Sequence, residues 1–141
     1  MDHLVYLDAK SKELEKLIDG TKSMIIRGAA GRKLPYGRVD RGDILYFIRN
    51  NGEGLVRAKA VVKSVFNSEK MEKDTSVQLV ESNQRKLQLD SKQFKKWAGK
   101  RYLVLIEVES FEEVASFKID RSNYGNMDDW LPVNKISEVI L

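Results

Sequence analysis

The chain has 141 residues, of which 42% are apolar and 33% charged. That is one domain by length, with enough chain to bury a core and a composition that is neither disordered nor collagenous. There is no cysteine and a single histidine, His3, so disulfides, thiolate zinc sites and cysteine nucleophiles are excluded, and any Ser-His-Asp triad would have to pass through a residue close to the N-terminus. The net charge of +4 does not by itself imply nucleic acid.

Residues 1–8 are too short and too acidic for a signal peptide, and no apolar run approaches the roughly 18 residues of a membrane span. A cytoplasmic, single-domain chain over 1–141 is expected, with no metal, no cofactor and no membrane partner.

In chain order, His3 to Leu7 alternates as a short strand. A helix follows over about Lys10 to Asp19, with Leu14, Leu17 and Ile18 on one face and Asp8 or Ser11 as its cap. Gly20 stands where a helix ends, because a residue without Cβ adopts the left-handed conformation at little cost. Ser23 to Arg27 predicts a strand in which Ile25 and Arg27 share one face while Met24 and Ile26 take the other. Residues Gly28 to Arg38 lack apolar periodicity and form a loop rich in glycine and base. Ile44 to Ile48 is the next strand, and Asn50-Asn51-Gly52 turns it into a long antiparallel partner from Leu55 to about Phe66.

The stretch Ser68 to Gln84 is expected to be helical, and a second short helix spans Ser91 to Trp97, ended by Gly99. Tyr102 to Glu109 alternates as a strand, with Val114 to Ile119 as its partner across a turn at Ser110 to Glu113. A turn-rich aromatic segment covers 123–132, and Val133 to Leu141 adds a last strand or helix. Strands joined by short turns, with helices inserted at two points, give an α+β domain with a small mixed or antiparallel barrel.

Charge is unevenly distributed along this order. Lys22, Arg27, Arg32, Lys33, Arg38 and Arg41 face only Asp40 over residues 20–41, and Arg85, Lys86, Lys92, Lys95, Lys96, Lys100 and Arg101 face only Asp90 over 84–101. If the two stretches meet in space, they make one face suited to a phosphate backbone. Otherwise they solvate separate surfaces.

Gly20, Lys22 and Arg27, placed at a helix-to-strand junction, resemble the G-x-K-x-x-E-x-R signature of ASCH domains in the PUA-like superfamily. The order of elements around the motif resembles the family over most of the chain. Ile25 departs from the pattern, standing where the family has glutamate, or threonine in a hydrolytic branch. Residues Gly31, Lys33 and Arg38 repeat the same spacing, but within a loop. The resemblance implies a small ASCH-type, PUA-like β-barrel with flanking helices, and a cleft near the motif that takes RNA, a nucleotide or a modified nucleoside. It also implies a hydrolytic alternative acting on acetylated cytidine through Lys22. Isoleucine cannot move a proton there, Ser23 would need an irregular turn to reach Lys22, and nothing in the sequence selects among Glu69, Glu72 and Glu81 as the acid. A protein-interaction domain is the third class.

Each site residue has a bland reading beside the functional one. Lys22 follows a helix C-terminus, where the dipole alone favours a cation, but a cleft lysine also holds phosphate. Arg27 either pairs with a carboxylate such as Glu107 or serves the ligand. In the loop, Arg32, Lys33 and Arg38 supply charge and Tyr36 a ring for stacking on a base, unless the glycines only make turns. Trp97, at helical spacing from Phe94, reads as core, whereas Trp130 is a base-stacking wall or a lid over the barrel.

Overall fold

The structure is a computed structural model that describes residues 1–124 and 128–141. The strands are β1 (Asp2–Leu7), β2 (Met24–Ala29), β3 (Ile44–Arg49), β4 (Leu55–Asn67), β5 (Tyr102–Lys118) and β6 (Trp130–Asn134). The helices are α1 (Glu13–Ile18), α2 (Lys73–Ser82), α3 (Gln84–Leu87) and α4 (Ser91–Trp97), with a 3-10 turn at Ile136–Glu138. All six strands form one sheet in the order β2-β5-β4-β3-β1-β6, with only the β1–β3 pair parallel.

The sheet curls because its apolar residues have one interior to fill. A single buried cluster takes Ile25 from edge strand β2, Trp130 from edge strand β6, and Val5, Phe47, Ala60 and Ile106 from the strands between them. Two opposite edges can share one core only if they face each other across a half-barrel. Three register shifts between β4 and β5 supply the bending, since each bulge adds local twist. The alternation expected in β2 holds. Ile25 points into the barrel, while Met24 and Ile26 pack outward with Val80, Leu87 and Trp97 beneath the helices.

Three expected elements differ. The first helix is shorter than expected, running Glu13–Ile18 with Lys12 at its N-cap position and no side-chain cap from Asp8 or Ser11. Tyr102 to Lys118 is one 17-residue strand instead of a hairpin. Ser-Phe-Glu-Glu lacks the glycine or asparagine a tight turn needs, and the 13-residue β4 offers a partner along the whole length. The break in alternation comes from bulges and from Ser110 at φ 53. The helix expected from Ser68 starts only at Lys73, because residues 68–71 run beside β5. Ser68 N–H donates to the Leu103 carbonyl at 2.9 Å, the Ser68 hydroxyl accepts from Leu103 N–H, and Met71 N–H donates to the Arg101 carbonyl.

Gly20 has φ +81, as a helix-ending glycine should. The turn-rich reading of 123–132 falls partly on residues 125–127, which lie outside the described residues. No helix among the described residues is long and apolar enough to cross a membrane.

Candidate functional site

The gap between the two edges of the half-barrel is spanned by one side chain. Arg27 on β2 donates from Nη2 to the Tyr6 carbonyl of β1 at 2.7 Å and from Nη1 to the carbonyl of Ile26 at 2.8 Å. Its guanidinium carbon lies 5.9 Å from the ring centre of Trp97 and 5.7 Å from that of Trp130, within cation–π range of both indoles. Nε lies 3.4 Å from an Asp129 carboxylate oxygen, yet it is buried and makes no hydrogen bond. The carboxylate partner is therefore Asp129, not Glu107, which pairs with Lys63 and Lys86.

In front of Arg27 lies a cleft of about 320 Å³, walled by Leu34, Trp97 and Trp130, with Gly28 in its lining. A Cβ on Gly28 would sit 2.6 Å from Leu103 Cδ2 and 3.0 Å from the Tyr102 carbonyl oxygen, so any larger residue there would have to displace Leu103. The rim carries Lys33 from the first basic stretch and Lys96 and Lys100 from the second, opposite Asp128 and Asp129. The two stretches do meet. Lys96 Nζ sits 4.7 Å from the centre of the Trp97 ring, so one indole carries two cations.

Trp130 is held from behind. Its indole N–H donates to His3 Nδ1 at 3.1 Å, and His3 Nε2 is 2.8 Å from Asp43. An indole nitrogen can only donate, so Nδ1 must accept, and the ring is the neutral tautomer that donates from Nε2 to the carboxylate. Burial pushes the His3 pKa below its ordinary 6.5 against the pull of Asp43. His3 thus fixes a wall of the cleft without reaching it.

Lys22 takes neither of the roles expected of it. Its side chain is wholly buried, with Nζ donating to the Leu87 carbonyl and lying 3.5 Å from Glu13, and it does not line the cleft. Burial lowers its pKa from 10.5 to about 8, with Glu13 opposing the shift. Below about pH 8 both folded and unfolded chains hold the proton, and the burial cost is fully present. From there up to about 10.5 only the unfolded chain does, so stability rises with pH by on the order of 3 kcal/mol. Urea melts at about pH 7.5 and about pH 9.5 are expected to show about 2 kcal/mol of this gain in the native chain and its loss in Lys22→Met.

The loop residues divide. Lys33 reaches the cleft. Arg32 instead lies 5.7 Å over the rings of Tyr36 and Tyr102, and the Tyr36 hydroxyl donates to the Ser68 carbonyl at 2.6 Å. Tyr36 therefore anchors the loop, and one of its faces is already occupied by a cation. Arg38 is exposed and outside the cleft lining.

Of the residues singled out from sequence, Arg27, Lys33 and Trp130 come together, and Lys22, Arg32, Tyr36 and Arg38 do not join them. Trp97 is core, as its spacing suggested, and is also a cleft wall. Glu69, Glu72 and Glu81 are exposed and line none of the cleft.

This arrangement of strands and helices has counterparts among solved structures. The crystal structure of ASCH from Zymomonas mobilis superposes with a TM-score of 0.65 over 94% of this chain and 89% of that one, at 12% sequence identity. The chain has an ASCH-type fold. Two single-substitution variants of the same Zymomonas mobilis protein give TM-scores of 0.67 and 0.66, covering 97% and 99% of this chain and 92% and 99% of theirs, again at 12% identity. No family model and no curated protein matches the sequence. At this identity the likeness is one of fold, so the cleft has to be read from its own residues. In this ASCH-type barrel Arg27, the arginine of the Gly20 to Arg27 motif, closes the sheet, and the motif lysine lies buried behind it.

Proposed function

We propose that the protein binds RNA, holding one nucleotide in the cleft between Trp97 and Trp130. The carrying observation is the combination of two indole walls and a buried arginine with a rim of Lys33, Lys96 and Lys100. Aromatic faces stack on any base and lysines neutralise the phosphates beside it. Arg27 Nε lies 3.4 Å from Asp129 without a hydrogen bond, and the guanidinium charge beside the cleft favours an acceptor edge of that base. The ASCH-type fold supports the same reading.

The hydrolytic alternative draws no comparable support. Lys22 Nζ is spent on Glu13 and the Leu87 carbonyl, and Ile25 is fully buried in the core.

The test is a titration of labelled single-stranded RNA at two salt concentrations against the native chain and Lys33→Ala/Lys96→Ala/Lys100→Ala. Native affinity is expected to fall steeply with salt, with the triple variant roughly tenfold weaker and its log–log salt slope shallower by about 2. Absence of binding at low salt sinks the proposal. So does binding indifferent to the three lysines.

A further inference from the structure

β5 outruns the strand beside it. On one side it pairs with β4 along its whole length, but on the other β2 covers it only from Tyr102 to Glu107. The last tie on that second side is the Val108 N–H, which donates to the Ser23 carbonyl at 2.9 Å. From 109 to 117 the backbone bonds to β4 alone among the described residues, until the Lys118 carbonyl accepts from the Leu141 N–H. An open strand edge of about 30 Å results. Roughly every second residue along it turns its N–H and C=O away from the sheet, and such a row is a template for one more strand.

The side chains set what kind of strand fits. Glu109, Glu112 and Glu113 are exposed. Glu112 lies 3.1 Å from Lys59 Nζ on β4, whereas Glu109 and Glu113 make no ion pair or hydrogen bond among the described residues. Half-buried apolar groups stand between and beyond them, on both faces of the strand. Phe111 stacks on Phe47 of the barrel core with ring centres 6.0 Å apart, while Val114 and Phe117 join the outer cluster that includes Tyr46. A strand laid along this edge is stabilised by apolar residues beside Phe111 and Phe117 and by cations beside the two free glutamates, because directly opposed side chains are the contacts that hold a sheet.

A second copy of the chain is a poor occupant. Two copies related by a two-fold axis pair antiparallel, and pairing about the middle of this edge brings Glu112 and Glu113 of both chains to the axis, where like charges oppose each other. The glutamates that keep copies apart admit a strand of the opposite sign. We infer that residues 109–117 of β5 are a docking edge for an extended basic segment of another protein, which adds to the sheet as a further strand. None of these residues lines the cleft, so the edge is open whether or not the cleft is filled.

The probe is a short fluorescein-labelled peptide that alternates lysine and valine. Its controls are the same peptide with glutamate in place of lysine, and two forms N-methylated at alternate residues in opposite phase, one of which loses the N–H groups that face β5. The native chain is expected to bind the lysine peptide at least about tenfold more tightly than the glutamate peptide or the weaker of the methylated pair. Bound peptide is expected to slow hydrogen exchange at the outward N–H groups of 109–117. Glu109→Lys/Glu113→Lys changes two exposed side chains, so it is expected to fold normally, which a thermal melt checks, and to bind the lysine peptide about tenfold more weakly.

No binding of the lysine peptide overturns the inference. So does binding that both methylated forms retain, because strand pairing is then absent, and so does binding that leaves exchange over 109–117 unchanged. A dimeric native chain in which those N–H groups exchange slowly without peptide assigns the edge to a second copy and also overturns it. Each of these outcomes leaves the RNA reading of the cleft untouched.

Discussion

Replacing Arg27 with methionine is expected to destabilise the fold by about 2 to 4 kcal/mol and to weaken RNA binding more than tenfold. Both effects follow from one geometry. The guanidinium links β2 to β1 where the sheet has no ladder, through its 2.7 Å bond to the Tyr6 carbonyl, and lies within cation–π range of two indoles at the back of the cleft. Methionine keeps much of the packing but leaves the Tyr6 and Ile26 carbonyls without this donor and Asp129 without its cation.

Arg27→Lys separates charge from shape. Lysine restores the positive charge but not the planar fork that donates to two carbonyls at once, so it is expected to recover less than half of the lost stability. Denaturant melts of the three proteins check this. Equal stability of native chain and Arg27→Met would mean that the half-barrel closes without the bridge.

The second large effect lies at Trp130. Trp130→Ala empties one of the largest fully buried side chains and is expected to cost about 3 to 5 kcal/mol, as large-to-small changes of aromatic core residues do. It also removes one wall of the cleft, so RNA binding is expected to weaken with it. Trp130→Phe is more informative, because it keeps a ring and deletes only the donor to His3 Nδ1.

In the native chain the lowered His3 pKa makes stability independent of this residue above about 6.5. As pH falls below that value, the unfolded chain takes up a proton that the folded chain resists, and stability declines. In Trp130→Phe the Nδ1 lone pair no longer accepts the indole bond, so protonation costs less and the acid decline is shallower. Parallel melts from about pH 7.5 down to about pH 5 compare the two slopes. A slope identical to the native one would show that the indole bond does not control the histidine.

Local physics made much of this chain readable. The alternation of Met24 to Arg27, the glycine after α1 and the Asn50-Asn51-Gly52 turn each depend on neighbours in sequence, and each is found as expected. The capped helix over Ser91 to Trp97 likewise carries its own signal, with Asp90 accepting from Gln93 N–H.

The site was less legible, because it depends on closure of the sheet. Arg27, Trp97 and Trp130 come from β2, α4 and the start of β6, and no local spacing records that the two sheet edges face each other. Lys96 and Lys100 stood out only as part of a basic run. Their place on the rim follows from α4 ending at the barrel mouth. Lys22 misled for the complementary reason. A lysine after a helix looks exposed in sequence, and only the buried Glu13, from the helix before it, shows that this one is internal.

The two tryptophans are the only ones in the chain, so their indole N–H resonances report directly on the cleft, with Trp97→Phe assigning them. Titration with a uridine trinucleotide is expected to shift both resonances along one saturable curve, as a base enters the cleft that Trp97 and Trp130 line. Saturable RNA binding that leaves both indoles unmoved would place the ligand elsewhere and contradict the cleft as the binding site.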